Sequence, residues 1–221
     1  MDSAVQRKNM VDSQVRPSDV TDRRIARAML EIPREDFVPK SKRAVAYMDG
    51  DLIVSGEGGR SPRALLAPRT LAKMIQNFAL DPDATVLDVA PATGYSTAVL
   101  AHIAKRVVAL ECDEALAGVA KAALADLSIG NAEVHVGPLR DGFAARGPYD
   151  AILLGGKVTE VPSSLLNQLK DGGRLVAILD INGVGKVYQW RRFAMNFDRH
   201  ALFDAEAHVL PGFERAAEFV F

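Results

Sequence analysis

From Asp83 onward the chain alternates between short apolar runs and amphipathic segments, and few folds satisfy that pattern. "ATVLDVA" is a buried strand and "YSTAVLAHIA" a helix. "RVVALEC" is a second strand, and "DEALAGVAKAALADLS" a second helix that stops before Gly130. "AEVHVG" and "YDAILLGG" are a third and a fourth strand, "PSSLLNQLK" a helix, and "DGGRLVAIL" a turn with a fifth strand. Strand–helix alternation builds right-handed crossover units on a parallel sheet, the α/β doubly wound class. After Gly185 the pattern changes. "KVYQWRRFA" and "AAEFVF" read as strands with little helix between them, so an antiparallel pair closes the sheet.

The segment before the alternation reads differently. In "MVDSQVRPSDVTDRRIARAMLEIPREDFVPKS", Thr21 or Asp22 can cap a helix whose Ile25, Ala26, Met29 and Leu30 share one face, and Pro33 and Pro39 close it. "DGDLIVSGEGGRSPR", Asp49 to Arg63, is a Gly- and Ser-rich loop with one short strand. "ALLAPRTLAKMIQNFAL" reads as an amphipathic helix, with Pro68 tolerable in its first turn. At 221 residues the chain suits one domain, with 1–82 an N-terminal helical and loop extension and 83–221 the sheet.

Composition narrows the partners. The formal net charge is −1, which gives no electrostatic footprint for nucleic acid or an anionic membrane. The one cysteine, Cys112, rules out an intramolecular disulfide and a Cys/His zinc site, and nothing near it in sequence lowers its pKa, so it reads as a small core filler. His102, His135, His200 and His208 have no metal-ligand spacing, so no metal site is expected. Met1 to Val20 has no apolar signal segment, and no run approaches a membrane span; the expectation is a cytoplasmic protein.

In an open parallel sheet, ligands sit beyond the carboxyl ends of the strands, at the switch point of strand order. Asp88 ends the first strand and Glu111 the second. A carboxylate after the second strand can accept from both hydroxyls of a ribose, and the helix that starts after Gly94 presents free N–H groups to a negative group. A ligand with a ribose, an ammonium and a carboxylate fits this set, and S-adenosylmethionine is such a ligand. NAD fits less well, because its pyrophosphate calls for a GxGxxG turn that the chain lacks. The structural alternative stays open: Asp88 as a local turn or cap, Glu111 as a solvated strand-end charge.

The N-terminal words "MVDSQVRPSDVTDRRIARAMLEIPREDFVP" and "AYMDGDL" closely resemble the opening of protein-L-isoaspartate O-methyltransferases. "VLDVAPATGYSTAVLA", "RVVALECDEAL", "NAEVHVG" and "GPYDAILLGGKVTEVPSSLLNQLKDGGRLV" follow in that family's order and spacing. The resemblance weakens only after Gly185. It implies a class I methyltransferase fold with a seven-stranded, mostly parallel sheet, S-adenosylmethionine as cofactor, and methylation of the abnormal carboxylate of L-isoaspartyl residues in damaged proteins or peptides. It also implies a cytoplasmic monomer that repairs proteins. Carried onto this chain, it makes Asp88, Ala90, Ala92, Gly94, Tyr95, Glu111 and Pro138 the cofactor-binding positions, with Glu111 on the ribose.

Three departures stand out. The glycine loop is here Ala90-Pro91-Ala92, where a non-glycine residue at positive φ costs about 1–2 kcal/mol. Gly137 is followed by Pro138 where the family has an acid near the adenine amine. The family's Thr-Ile-Ser-x-Pro substrate motif, counted back from the first strand, falls on Ala64 to Pro68, with Leu66 at the hydroxyl position. Counted forward from Tyr47, Ser61 takes that place instead. Arg60 and Arg63 can hold a carboxylate bidentately, so Ser61, Arg60 and Arg63 are the candidates for the substrate carboxylate. They read equally as solvated loop residues. Rival expectations are a methyltransferase for another carboxylate and a non-catalytic relative kept as a binding module.

Overall fold

A computed structural model of the protein describes residues 2–56, 58 and 61–214. The N-terminal part carries α1 (Ser3–Met10), α2 (Arg23–Glu31), a hairpin of β1 (Leu52–Ser55) and β2 (Arg63–Leu65), and α3 (Pro68–Gln76). The alternating part follows: β3 (Thr85–Val89), α4 (Tyr95–Ala101), β4 (Arg106–Glu111), α5 (Glu114–Asp126), β5 (Ala132–Val136), β6 (Tyr149–Val158), α6 (Ser163–Leu166), β7 (Leu169–Ile181), β8 (Val184–Phe193) and β9 (Asn196–Asp204).

Seven strands form one sheet in the order β5-β4-β3-β6-β7-β8-β9. The first five pair in parallel, while β8 and β9 are antiparallel. The chain enters at β3, steps outward to β4 and β5, then returns to the other side of β3 as β6. That reversal puts the switch point between β3 and β6, and a crevice forms where neighbouring connections leave on opposite sides. Val86, Leu87, Val89, Val107, Val108, Ile152 and Leu153 are fully buried along the central strands, as expected where both sheet faces are covered.

Local chemistry sets the helix boundaries. The Asp22 side chain accepts from the Arg24 N–H at the start of α2, and the Asp113 side chain accepts from the Ala115 and Leu116 N–H groups at the start of α5. Gly94, at φ 96°, is the N-cap of α4, and a Cβ there would lie 3.0 Å from the Ala120 Cβ.

Several elements differ from the sequence reading. The long helix expected from Ala64 begins only at Pro68; Arg63–Leu65 is instead extended and pairs antiparallel with β1, because proline is at home in the first turn of a helix but disfavours helix before it. The helix "PSSLLNQLK" is a single turn, Ser163–Leu166, and β7 takes over from Leu169. Helix α1 buries only Met10, so it shows no apolar face in the sequence. The antiparallel partner of β8 is β9. The terminal run "AAEFVF" lies outside the described residues.

Candidate active site at the carboxyl ends of β3 and β4

The turn between β3 and α4 is tight. The Ala90 N–H donates to the Leu110 carbonyl at 2.8 Å, and the Gly94 N–H to the Pro91 carbonyl at 2.9 Å. Ala90 and Ala92 both adopt positive φ, 64° and 54°. The backbone keeps the left-handed steps that glycine would take without strain, and both Cβ atoms are tolerated at a cost. Space for them comes from the neighbours. Gly155 of β6 has no side chain, and a Cβ there would stand 2.6 Å from the Ala90 carbonyl oxygen.

Asp88 is fully buried. Its Oδ2 accepts from the Ser96 and Thr97 hydroxyls at 2.7 Å each. Its Oδ1 is buried without a partner among the described residues. Burial dominates and pushes its pKa up to about 6, against the two hydroxyl bonds that favour the charged form. Both acceptor bonds run to the first turn of α4, so Asp88 fixes where that helix starts.

Glu111 is also fully buried, and its carboxylate is saturated. Oε1 accepts from the backbone N–H groups of Cys112 at 2.8 Å and Asp113 at 3.2 Å. Oε2 accepts from the Ala92 N–H at 3.0 Å. The Arg63 guanidinium completes the set, with Nη1 donating to Oε1 at 2.5 Å and Nη2 to Oε2 at 2.8 Å. Nη2 also reaches the Ala90 carbonyl at 3.2 Å. Arg63 is 6% exposed, so the pair is a buried, bidentate, charge-assisted one.

The Leu66–Ala67 segment is tied down through its backbone. The Leu66 carbonyl accepts from Arg34 Nη2 at 3.0 Å, and the Ala67 N–H donates to Asp51 Oδ1 at 2.7 Å. Arg34 is fully buried, also donates from Nε to the Ala46 carbonyl at 2.9 Å, and lies over the Tyr95 ring at 4.7 Å. Burial pulls the Arg34 guanidinium pKa down and pushes the Tyr95 phenol up to about 12. The Thr93 hydroxyl donates to the Phe37 carbonyl at 2.5 Å, another tie between loop and N-terminal extension.

The structure thus brings Arg63, Asp88, Ala90, Ala92, Gly94, Tyr95 and Glu111 together. Ser61 lies apart, its hydroxyl donating to Glu214 Oε1 at 3.1 Å, and Arg60 lies outside the described residues. Pro138 follows β5 in extended conformation and heads a short helical turn, Leu139–Asp141. The Cys112 thiol is pushed up in pKa by burial and by Glu111, away from nucleophile behaviour. Sequence reasoning gave no role to Arg34, Thr93, Ser96 or Thr97. It set Arg63 toward substrate, whereas each of its hydrogen bonds runs to Ala90, Glu111 or Cys112. Nothing local signals that contact, because 48 residues separate Arg63 from Glu111 and the surrounding "GEGGRSPR" reads as solvated loop.

The β3–α4 turn packs closely on the Leu65–Leu66 segment: the cavity between them measures about 10 Å³, about one water molecule's worth. The Glu111 carboxylate has its acceptor positions filled by this chain's own donors.

Comparison with known proteins gives the family. The model of the protein-L-isoaspartate(D-aspartate) O-methyltransferase (PCMT) family matches residues 5–201. The chain is 39% identical over 176 residues to a protein-L-isoaspartate O-methyltransferase of Roseiflexus sp. (strain RS-1), covering 80% of this chain and 78% of that one. It is 40% identical over 173 residues to protein-L-isoaspartate O-methyltransferase 1 of Rhodopseudomonas palustris (strain HaA2), covering 78% and 69%. A solved protein-L-isoaspartate O-methyltransferase matches with a TM-score of 0.84 at 26% identity, over 93% of this chain and 66% of that one, so this chain spans just under two thirds of its length. A Plasmodium falciparum protein-L-isoaspartate O-methyltransferase solved with S-adenosyl-L-homocysteine matches with a TM-score of 0.78 at 20% identity, a likeness of fold. A family match across residues 5–201 and curated relatives 39 and 40% identical along most of their length assign this chain to the protein-L-isoaspartate (D-aspartate) O-methyltransferase family of S-adenosylmethionine-dependent O-methyltransferases.

Proposed function

We propose that the protein transfers a methyl group from S-adenosylmethionine to the free α-carboxylate of L-isoaspartyl residues in damaged proteins or peptides. In this reading Glu111 is the ribose acceptor, Asp88 faces the amino-acid end of the cofactor, Ala90, Ala92, Gly94 and Tyr95 form its loop, and Pro138 lies beside the base. The observation that carries it is the loop backbone. Ala90 at φ 64° and Ala92 at φ 54° hold left-handed steps that alanine adopts only under strain, and such strain persists where a functional shape is held by its surroundings. Residues 1–82 act as an extension that brings the substrate segment to the sheet formed by 83–221. The protein acts as a monomer in the cytoplasm, without a nucleic-acid or membrane partner. A net charge of −1 supports the lack of a nucleic-acid or anionic-membrane partner, and among the described residues no helix is long and apolar enough to cross a membrane.

The cofactor supplies an electrophilic methyl group on sulfur. A carboxylate is already a nucleophile at neutral pH, so the chain needs no general base and its contribution is alignment. Here that alignment is weakly provided. Leu66 offers no hydroxyl, its carbonyl is engaged by Arg34, and the Ala67 N–H by Asp51. Ser61 remains the described candidate with a hydroxyl near the surface. A buried substrate carboxylate short of one partner loses about 2–4 kcal/mol, or roughly thirtyfold to a thousandfold in rate.

The test is transfer of labelled methyl from S-adenosylmethionine to an L-isoaspartyl peptide, with the aspartyl peptide of the same sequence as control. Slow, base-labile labelling of the isoaspartyl peptide alone is expected. Equal labelling of both peptides, or of neither, overturns this reading. Leu66 favours a second one, a methyltransferase for a carboxylate that brings its own hydrogen-bond partners, and that reading predicts labelling of other acids with the isoaspartyl peptide blank.

A further inference from the structure

The Arg63–Glu111 pair occupies the position that the proposed function gives to the cofactor's ribose, and the inference rests on that reading. A carboxylate offers about four lone-pair positions. Those of Glu111 receive two guanidinium N–H and three backbone N–H bonds, from Arg63, Ala92, Cys112 and Asp113. The backbone donors are set by the β3–α4 turn and the end of β4, and they stay with the fold. Only the Arg63 side chain can leave.

A vicinal diol and a guanidinium edge make the same demand on a carboxylate: two parallel donors, one to each oxygen. Both cannot be met at once. Arg63 also spans the loop, since Nη2 donates to the Ala90 carbonyl as well as to Oε2. The pair is buried and cationic–anionic, so a bound neutral diol must replace its hydrogen bonds and offset the loss of its charge. Arg63 is the first residue of β2, placed opposite Ser55 beside an irregularity in the β1–β2 register. Its side chain can turn away while Ala64 and Leu65 keep their pairing with Ile53 and Leu52.

We propose that Arg63 is an internal competitor for the cofactor: it holds the ribose acceptor closed, and an adenosyl cofactor enters only by displacing it from Glu111. The chain thereby sets its own cofactor affinity through one side chain, and a ligand or partner that draws Arg63 toward solvent would raise that affinity without touching the cofactor.

Calorimetric titration with S-adenosylhomocysteine tests this on three forms of the full chain: wild type, Arg63→Met and Arg63→Lys. Methionine keeps the packing volume and removes both donors. Lysine keeps the charge but loses the planar fork. Affinity is expected to rise at least tenfold in Arg63→Met, with Arg63→Lys between it and the wild type. Thermal unfolding of each form shows which are folded, and Arg63→Lys carries the test if Arg63→Met is not. Equal or weaker binding by a folded variant overturns the competitor and leaves the proposed function standing. Absence of binding in all three overturns both.

Discussion

Ala92 and Asp88 each hold an unfavourable state in the folded protein. Ala92 sits at φ 54° with its N–H on Glu111, so glycine at that position relieves strain while freeing the unfolded chain. The first effect is worth about 1–2 kcal/mol and the second about 0.4–1 kcal/mol in the other direction. Ala92→Gly is therefore expected to leave the protein equally stable or more stable by up to about 1.6 kcal/mol in urea unfolding. A loss of 1 kcal/mol, the usual result for glycine at negative φ, contradicts the observed loop. Asp88 gives a pH signature. Its pKa is raised from 3.8 to about 6 in the folded state, so folding takes up a proton between those values. Its favourable contribution is complete below about pH 4 and is lost as pH rises through about 6, because the folded state then carries an incompletely partnered buried charge. Asp88→Asn should flatten the stability profile between pH 4 and 7 and raise stability at pH 8 by about 1–3 kcal/mol. An unchanged slope would show that Asp88 is charged in the folded protein across that range.

At the scale of elements, capping marks the boundaries most firmly. The Asp113 carboxylate takes both the Ala115 and Leu116 N–H groups, at 2.8 and 3.1 Å, while its own N–H helps saturate Glu111. Asp113→Ala should cost about 1 kcal/mol in chemical unfolding, the ordinary value of an N-cap, and should leave the Glu111 set intact because the backbone donor remains. A cost near zero would mean that α5 starts elsewhere. Capping and periodicity also decide which elements are legible in the sequence. β3, β4, β5 and α5 were legible because short buried runs alternate with capped, periodic segments. The helix α2 was legible from Asp22 and its apolar stripe. Strand β9 was not, since none of its residues is buried and the period-2 signal is absent. Strand β2 was hidden by the apolar word "ALLAP", which reads as helix until Pro68 is placed at the first helical position. At the site, Asp88 and Glu111 were legible as strand-end acids. The Arg63–Glu111 pair was not, because a contact made across 48 residues leaves no local pattern.

Across the whole molecule, the seven-stranded sheet forms the crevice at its switch point, and the N-terminal extension packs against it. The extension reaches the switch point through several ties: Arg34 over the Tyr95 ring, Thr93 on the Phe37 carbonyl, and Arg63 on Glu111. The first two fix position. The third closes the acceptor. In the proposed displacement one carboxylate serves two donors in turn, the chain's own guanidinium and a ribose. A crystal structure of the protein with S-adenosylhomocysteine decides it. Expected are the ribose hydroxyls on Glu111, the Arg63 guanidinium beyond hydrogen-bond distance of that carboxylate, and the Ala92, Cys112 and Asp113 N–H groups still bound to it. A bound nucleoside with Arg63 still forked onto Glu111 would contradict it.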